Sequence, residues 1–248
     1  MNVWGFSVRP PNANRALAAG LLNAGLIGRS ERRFLERTVR PGQTVVDVGA
    51  NLGVFTLLLS RLVGPSGRVV ALEPEPDLFR ALDENCRRNG AHQVTRVRAA
   101  AGDRQSRGVL HCSRFNSGDN RLSGSWRGAT IPVEIVTIDE TVPHEPVGFV
   151  KIDVQGYELH VVRGMQALVD RSPALQVLFE FWPAGLGYAG SAPGDLLEFF
   201  LDRGFSLFEL SGDGLRRVSR DDVLQSITGR AWSWKNLLAS REDGIAVR

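Results

Sequence analysis

Residues 45–56 read VVDVGANLGVFT. An apolar strand, residues 44–48, runs through a glycine-rich turn into an apolar helix, residues 53–63. Such a strand-to-helix turn marks nucleotide-binding α/β folds, where glycines let the backbone approach a ligand closely. Gly49, Asn51 and Gly53 supply the turn. A dinucleotide fingerprint, G-x-G-x-x-G, would bring a pyrophosphate to the helix N-terminus. Here Asp47 stands in place of its first glycine. An anionic side chain repels pyrophosphate and suits a cation, which it holds by a charge-assisted hydrogen bond.

The next apolar strand, residues 68–72, ends on Glu73. A carboxylate at the C-terminal end of this strand can accept both hydroxyls of a ribose. That role fits NAD and S-adenosylmethionine (SAM) alike, so Asp47 decides between them. Its charge matches the ammonium of a methionine moiety. Asp47, Gly49, Asn51, Gly53 and Glu73 therefore read as cofactor contacts for SAM. Gly102 and Asp103 follow the third strand, residues 94–99, and extend the set. Asp103 could accept the adenine amino group, with nearby amides reading the ring; a plain turn is the alternative.

From Gln43 onward the chain alternates strands and helices, the pattern of a parallel sheet. Helices are expected at residues 76–89, 158–169 and 193–203, and strands at 147–153 and 174–181. Residues 104–146 interrupt the alternation. There, 108–113 and 131–138 read as strands around a polar stretch, 115–128, that is long for an idle loop. Residues 205–211 and 215–218 read as a hairpin. The expected fold is α/β and Rossmann-like, with a mostly parallel sheet and a C-terminal antiparallel hairpin, over residues 43–218. Residues 1–42 read as a helical extension, with helices at 12–25 and 30–39 and Ser30 as an N-cap. That extension either packs on the sheet edge or acts as a lid. Residues 219–248 are read as a tail.

Lys151 and Asp153 point the same way from one strand, at period two. Asp153 reaches the strand's C-terminal end, where open α/β sheets bind ligands. Charges inside an apolar strand are paired or functional. Glu180, within VLFEFW, ends the neighbouring strand in a similar place. Lys151, Asp153 and Glu180 are the candidate catalytic residues. Asp153 and Glu180 could bind a divalent metal or orient an acceptor hydroxyl; pairing with an arginine is the structural alternative. No two of the four histidines show a metal-binding H-x-x-x-H spacing. Trp126, Trp182 and Tyr188 could stack on an acceptor ring or pack at a rim.

Composition narrows the classes. The 30 Lys and Arg are interspersed with 27 Asp and Glu, for a net charge of +3. A nucleic-acid partner usually asks for a basic face or stripe, so the scatter argues against one. Cys86 and Cys112 lack the spacing of a zinc site and read as reduced thiols. No run approaches the ~20 apolar residues of a membrane span, and no signal peptide is visible. A cytoplasmic protein is expected.

These stretches together resemble the FkbM family of SAM-dependent methyltransferases. The carriers are VVDVGANLGVFTLLLS, ALEPEPDLFRALDENCRRNG, RAAAGD, KIDVQGYELHVVRGM and VLFEFW, across residues 44–210, and WKNLLA is similar to the family's ending. The KID-x-x-G-x-E block is the specific part. The resemblance implies a class I methyltransferase fold and SAM bound by Asp47, Gly49, Asn51, Gly53 and Glu73. It also implies a second signature near the acceptor, formed by Lys151, Asp153, Gly156 and Glu158. Members are implied to methylate hydroxyl oxygens of sugars or natural products such as macrolides. This chain departs at Gln155, where the family often has Glu, and at Val54, where it often has an aromatic residue. The expected function is O-methylation of a small-molecule or glycosyl acceptor. Asp153 would take the hydroxyl proton, tuned by Lys151. The rival readings are an RNA or protein methyltransferase, an inactive SAM-binding protein, and an NAD-dependent enzyme.

Overall fold

The computed structural model describes residues 1–11, 28–113, 117–123, 128–212, 214–227 and 233–241. The helix expected at 12–25, and Trp126, lie outside these residues. A short hairpin, β1 (Asn2–Val3) and β2 (Phe6–Ser7), precedes helix α1 (Arg29–Thr38). Gly28 caps α1 in the left-handed region at φ 77°. Ser30 is thus already inside the first turn and is not the N-cap.

Next come β3 (Thr44–Val48), α2 (Val54–Val63), β4 (Arg68–Leu72), α3 (Pro76–Arg88) and β5 (Val94–Val97). Every residue of β3 is buried, as a strand covered on both faces must be. The start of α3 is set locally. Glu75 accepts a hydrogen bond from the Leu78 amide, and Pro76 opens the first turn, where its missing N–H is not needed.

The interruption is a small sheet of its own. β6 (Ala100–Ala101), β7 (Ser106–Cys112) and β8 (Ala129–Val136) pair in the order β6-β8-β7. Part of the polar stretch folds back onto β7, where the amides and carbonyls of His111 and Arg121 bond each other. Beyond it lie α4 (Ile138–Thr141), β9 (Phe149–Ile152), α5 (Glu158–Arg163), α6 (Gln166–Arg171) and β10 (Gln176–Phe181). The single helix expected over 158–169 is two. It breaks at Gly164, which packs so closely that a Cβ there would lie 1.9 Å from the Gly102 carbonyl oxygen.

The chain continues through α7 (Pro183–Tyr188), α8 (Pro193–Leu201), β11 (Ser206–Ser211), β12 (Gly214–Val218), α9 (Arg220–Ser226) and β13 (Lys235–Ser240). The main sheet has eight strands in the order β12-β11-β13-β10-β9-β3-β4-β5. Strands β10, β9, β3, β4 and β5 are mutually parallel. The hairpin β11–β12 forms as expected. The segment read as a tail departs from expectation. Lys235–Ser240 inserts antiparallel between β10 and β11, and buries Leu237 and Leu238 completely. The two faces of the sheet carry separate apolar layers. Val46, Val48, Val150 and Ile152 serve one, and Val45, Val69 and Phe149 the other. Asp47 shares the second face with Val45 by the period of two and lies opposite Lys151 in the β3–β9 ladder. Among the described residues, no helix is long and apolar enough to cross a membrane.

Candidate active site

A cavity of about 470 Å³ opens where β3, β4, β9 and β10 end, the place at which open α/β sheets bind ligands. Asp47, Gly49, Asn51, Glu73, Lys151, Asp153 and Glu180 all line it. Three expected contacts do not. Gly102 packs against Ile135 and Tyr157, and Asp103 sits 3.5 Å from His160 Nδ1 and 3.9 Å from Arg104. Ala99, Ala100 and Ala101 line the cavity instead. Gly53 also stays off the wall, capping α2 at φ 85°.

Asp47 has no solvent exposure. Its Oδ2 accepts from Thr56 Oγ1 at 2.6 Å, and its Oδ1 has no partner among the described residues. Burial raises its pKa, against the pull of Lys151. A buried carboxylate oxygen without a donor, on a cavity wall, fits a cationic ligand group. Glu73 is tied at both oxygens, accepting from the Asn51 and Glu75 amides at 2.9 Å each. Burial moves its pKa up to about 7. Each carboxylate oxygen has a second lone pair, so two acceptor positions remain for a ribose diol.

Both glycines also meet protein atoms closely. A Cβ on Gly49, at φ +84°, would lie 2.0 Å from the Asp153 carbonyl oxygen. One on Gly53 would lie 2.5 Å from Leu82 Cδ1. The first motif is therefore locked against the second. Gly49→Ala should destabilise the fold by about 3 kcal/mol or more, from the clash and the left-handed strain together. Urea unfolding checks this, and an unchanged midpoint would refute the contact.

At the end of β9 a polar network forms. Lys151 Nζ lies 3.1 Å from Asp153 Oδ2 and 4.7 Å from the centre of the Phe55 ring. Burial alone would lower the lysine's pKa, but Asp153, Asp47 and Glu180 together outweigh it and hold it raised. Asp153 shows the reverse. Burial pushes its pKa up, and the charge and hydrogen bond of Lys151, with a bond from Gln155, bring it below the usual carboxylate value. Its side chain is 40% exposed, so a molecule in the cavity can reach it. Gln155 Nε2 donates to Asp153 Oδ1 at 3.0 Å and to Glu180 Oε2 at 2.9 Å. Desolvation, then Asp153 and Glu158, push Glu180 up to about 9.

Glu158 and Gly156 take a supporting role. Glu158 Oε1 accepts from the amides of Val154 and Gly156, clamping the loop that presents Gln155. Gly156 approaches the backbone of Gly185 too closely for any side chain. Glu158 is fully buried, and burial raises its pKa to about 7. Its protonated form is thus favoured by folding. That stability is fully present below the unfolded carboxyl's pKa, near 4.5, and is lost as pH rises through about 7. Glu158→Gln should therefore gain on the wild type between pH 5 and pH 8, by up to about 3 kcal/mol. Melting temperatures at both pH values check this; a constant difference counts against it.

Sequence reasoning passed over Trp4, Phe55 and Arg121, which also line the cavity. Arg121 is 2% exposed, and its guanidinium lies 4.9 Å from the centre of the Trp182 ring. Tyr188 meets Trp182 edge-on and is largely exposed. Among the described residues, the non-glycines with positive φ are Trp4, Asn51 and Gln155, and each lines the cavity. No group of three or more His, Cys, Asp or Glu among the described residues could hold a metal ion. Asp153 and Glu180 offer two carboxylates bridged by an amide, which does not amount to a metal centre.

Known proteins place this geometry. A provisionally named rRNA-methylase from Clostridium thermocellum superposes with a TM-score of 0.53 at 12% identity, over 85% of this chain and 92% of its own. A protein designated a methyltransferase from Streptococcus mutans, solved with S-adenosylhomocysteine (SAH), gives 0.50 at 11% identity, over 85% and 94%. The fold is that of the class I methyltransferases. Protein-L-isoaspartate O-methyltransferase of Aeropyrum pernix is 40% identical over 65 residues, 26% of this chain. The match spans only a quarter of that relative's length. Residues 47–207, well over half the chain and bounding all of the strand-end network, match the methyltransferase FkbM domain, and the chain belongs to that family.

Proposed function

We propose that the protein is a SAM-dependent O-methyltransferase acting on a hydroxyl of a small molecule, sugar or natural product. The observation that carries this reading is the 3.1 Å pair of Asp153 with Lys151 on the wall of the cavity that Asp47 also lines. Asp47 would hold the ammonium of SAM and Glu73 its ribose hydroxyls. Bound there, the cofactor supplies a methyl group on a cationic sulfur. The residues of the chain do the rest. Asp153 accepts the proton of the acceptor hydroxyl as its oxygen takes the methyl group. Lys151 keeps Asp153 ionised and fixed in place. The cavity walls hold the two reactants in line, which supplies much of the rate.

The supports are family membership, the unpartnered Asp47 oxygen and the SAH held by the Streptococcus mutans protein. The test is methyl transfer from tritiated SAM to a panel of hydroxylated acceptors, with and without EDTA, followed by NMR of the product. An O-methyl carbon is the expected result. Methylation at nitrogen or carbon would sink the reading. A protein or RNA acceptor is the second reading, favoured by the stretch shared with the isoaspartate enzyme. Acceptor binding that weakens steeply with salt would support it.

A further inference from the structure

We propose that Glu180, held beside Asp153 by the Gln155 amide, hydrogen-bonds a second acceptor oxygen next to the hydroxyl that Asp153 deprotonates. The acceptor then carries two neighbouring oxygens, as a vicinal diol does. This inference rests on the O-methyl transfer proposed above.

The geometry treats the two carboxyl groups differently. They sit on adjacent parallel strands and face one cavity. Gln155, left-handed at φ 56°, reaches between them. Its Nε2 carries two hydrogens, and the bonds of 3.0 and 2.9 Å commit both. The amide spaces the carboxyl groups, so that they do not share one proton directly. Lys151 pairs with Asp153 Oδ2, giving Asp153 a cation as well as the amide. Glu180 has the amide at Oε2, which leaves Oε1 to carry a proton.

The groups around Glu180 favour that proton. Asp153 and Lys151 face it from β9, and Glu158 from α5. Its register partner on β13 is the neutral Asn236, which donates to Glu31 of α1 at 2.6 Å. The two carboxylates and desolvation outweigh Lys151 and raise Glu180, while Lys151 keeps Asp153 ionised. Carboxyl groups whose protonation is pushed apart in one site divide into a base and a donor. An acceptor with a single hydroxyl would leave the donor without a partner once water is excluded, at a cost in binding. A second oxygen satisfies it.

The test uses the full chain labelled with ¹³C at the glutamate carboxyl carbons and saturated with SAH. Glu180→Gln assigns the resonance. Glu180 should remain protonated at pH 7.5, and Asp153→Asn should lower its midpoint by about one pH unit or more, by removing the nearest like charge. Cis-1,2-cyclohexanediol should shift the signal, and cyclohexanol at the same concentration should not. An ionised Glu180 at pH 7.5, or an equal response to both alcohols, including none, overturns the proposal. SAH binding is read in the same sample, so a fault in the cofactor site is distinguished. Methyl transfer to nitrogen would sink the parent reading without moving the Glu180 resonance.

Discussion

Asp47→Asn is expected to weaken SAM binding by about 30- to 100-fold and to leave the fold intact. Asp47 lies on the cavity wall, and among the described residues its side chain accepts one hydrogen bond, from Thr56 Oγ1 to Oδ2. An asparagine fills the same volume and can accept that bond through its carbonyl. What it lacks is charge at the partnerless Oδ1. A hydrogen bond to a charged group contributes about 2–3 kcal/mol, which gives the expected loss of affinity. The fold loses little, because burial already disfavours ionised Asp47. The 3.1 Å pair of Lys151 with Asp153 gives Lys151 a partner that the substitution does not touch. Calorimetric titration of both proteins with SAM, and in parallel with NAD, measures the effect. Equal SAM affinity in the variant would remove Asp47 from the cofactor site. Binding of NAD in its place would restore the dinucleotide reading that Asp47 argues against.

Much of this site was legible in the sequence. The strand ending in Asp47, and the carboxylates at the ends of the next strands, follow from apolar runs closed by a charge. Such a charge in a buried strand has to face something polar. Gly49 and Gly53 were legible as a ligand-binding turn, yet the atoms they make room for are the Asp153 carbonyl and Leu82. Close approach of backbone to protein and to ligand leaves the same mark in a sequence. Glu158 has the opposite history. Its motif suggested a place near the acceptor, and it turns inward to hold the loop of Gln155. Strand β13 was not legible as an interior strand. It pairs residue 176 with 240 and 206 with 240, contacts across long separations that no local period encodes. Trp4 and Arg121 were missed for the same reason: irregular segments bring them to the cavity, and their positions depend on packing rather than on repeat.

Asp153→Asn is expected to lower turnover by about 10²- to 10⁴-fold, the usual contribution of a positioned general base. SAM affinity should change by less than about threefold, because the hydrogen bonds of Asp47 and Glu73, the proposed cofactor contacts, do not involve Asp153. The asparagine carbonyl can still accept from Gln155, while the proton acceptor and the pair with Lys151 are lost. Tritiated methyl transfer to the acceptor found in the hydroxyl screen measures turnover, and calorimetry measures affinity. The pH profile separates a base from a scaffold. In the wild type, Lys151 holds Asp153 below the usual carboxylate range, so with SAM saturating the acid limb that belongs to Asp153 should lie well under neutrality, below any limb from Glu73 or Glu158 near pH 7. On the alkaline side, loss of the Glu180 proton near pH 9 should depress turnover. In Asp153→Asn the acid limb should vanish with the base. The alkaline limb should move to lower pH, because Glu180 no longer faces a neighbouring negative charge. Turnover that persists with the wild-type acid limb would show that another group takes the proton. Glu158, buried behind the loop with an unpartnered Oε2, would then be the next carboxyl to test.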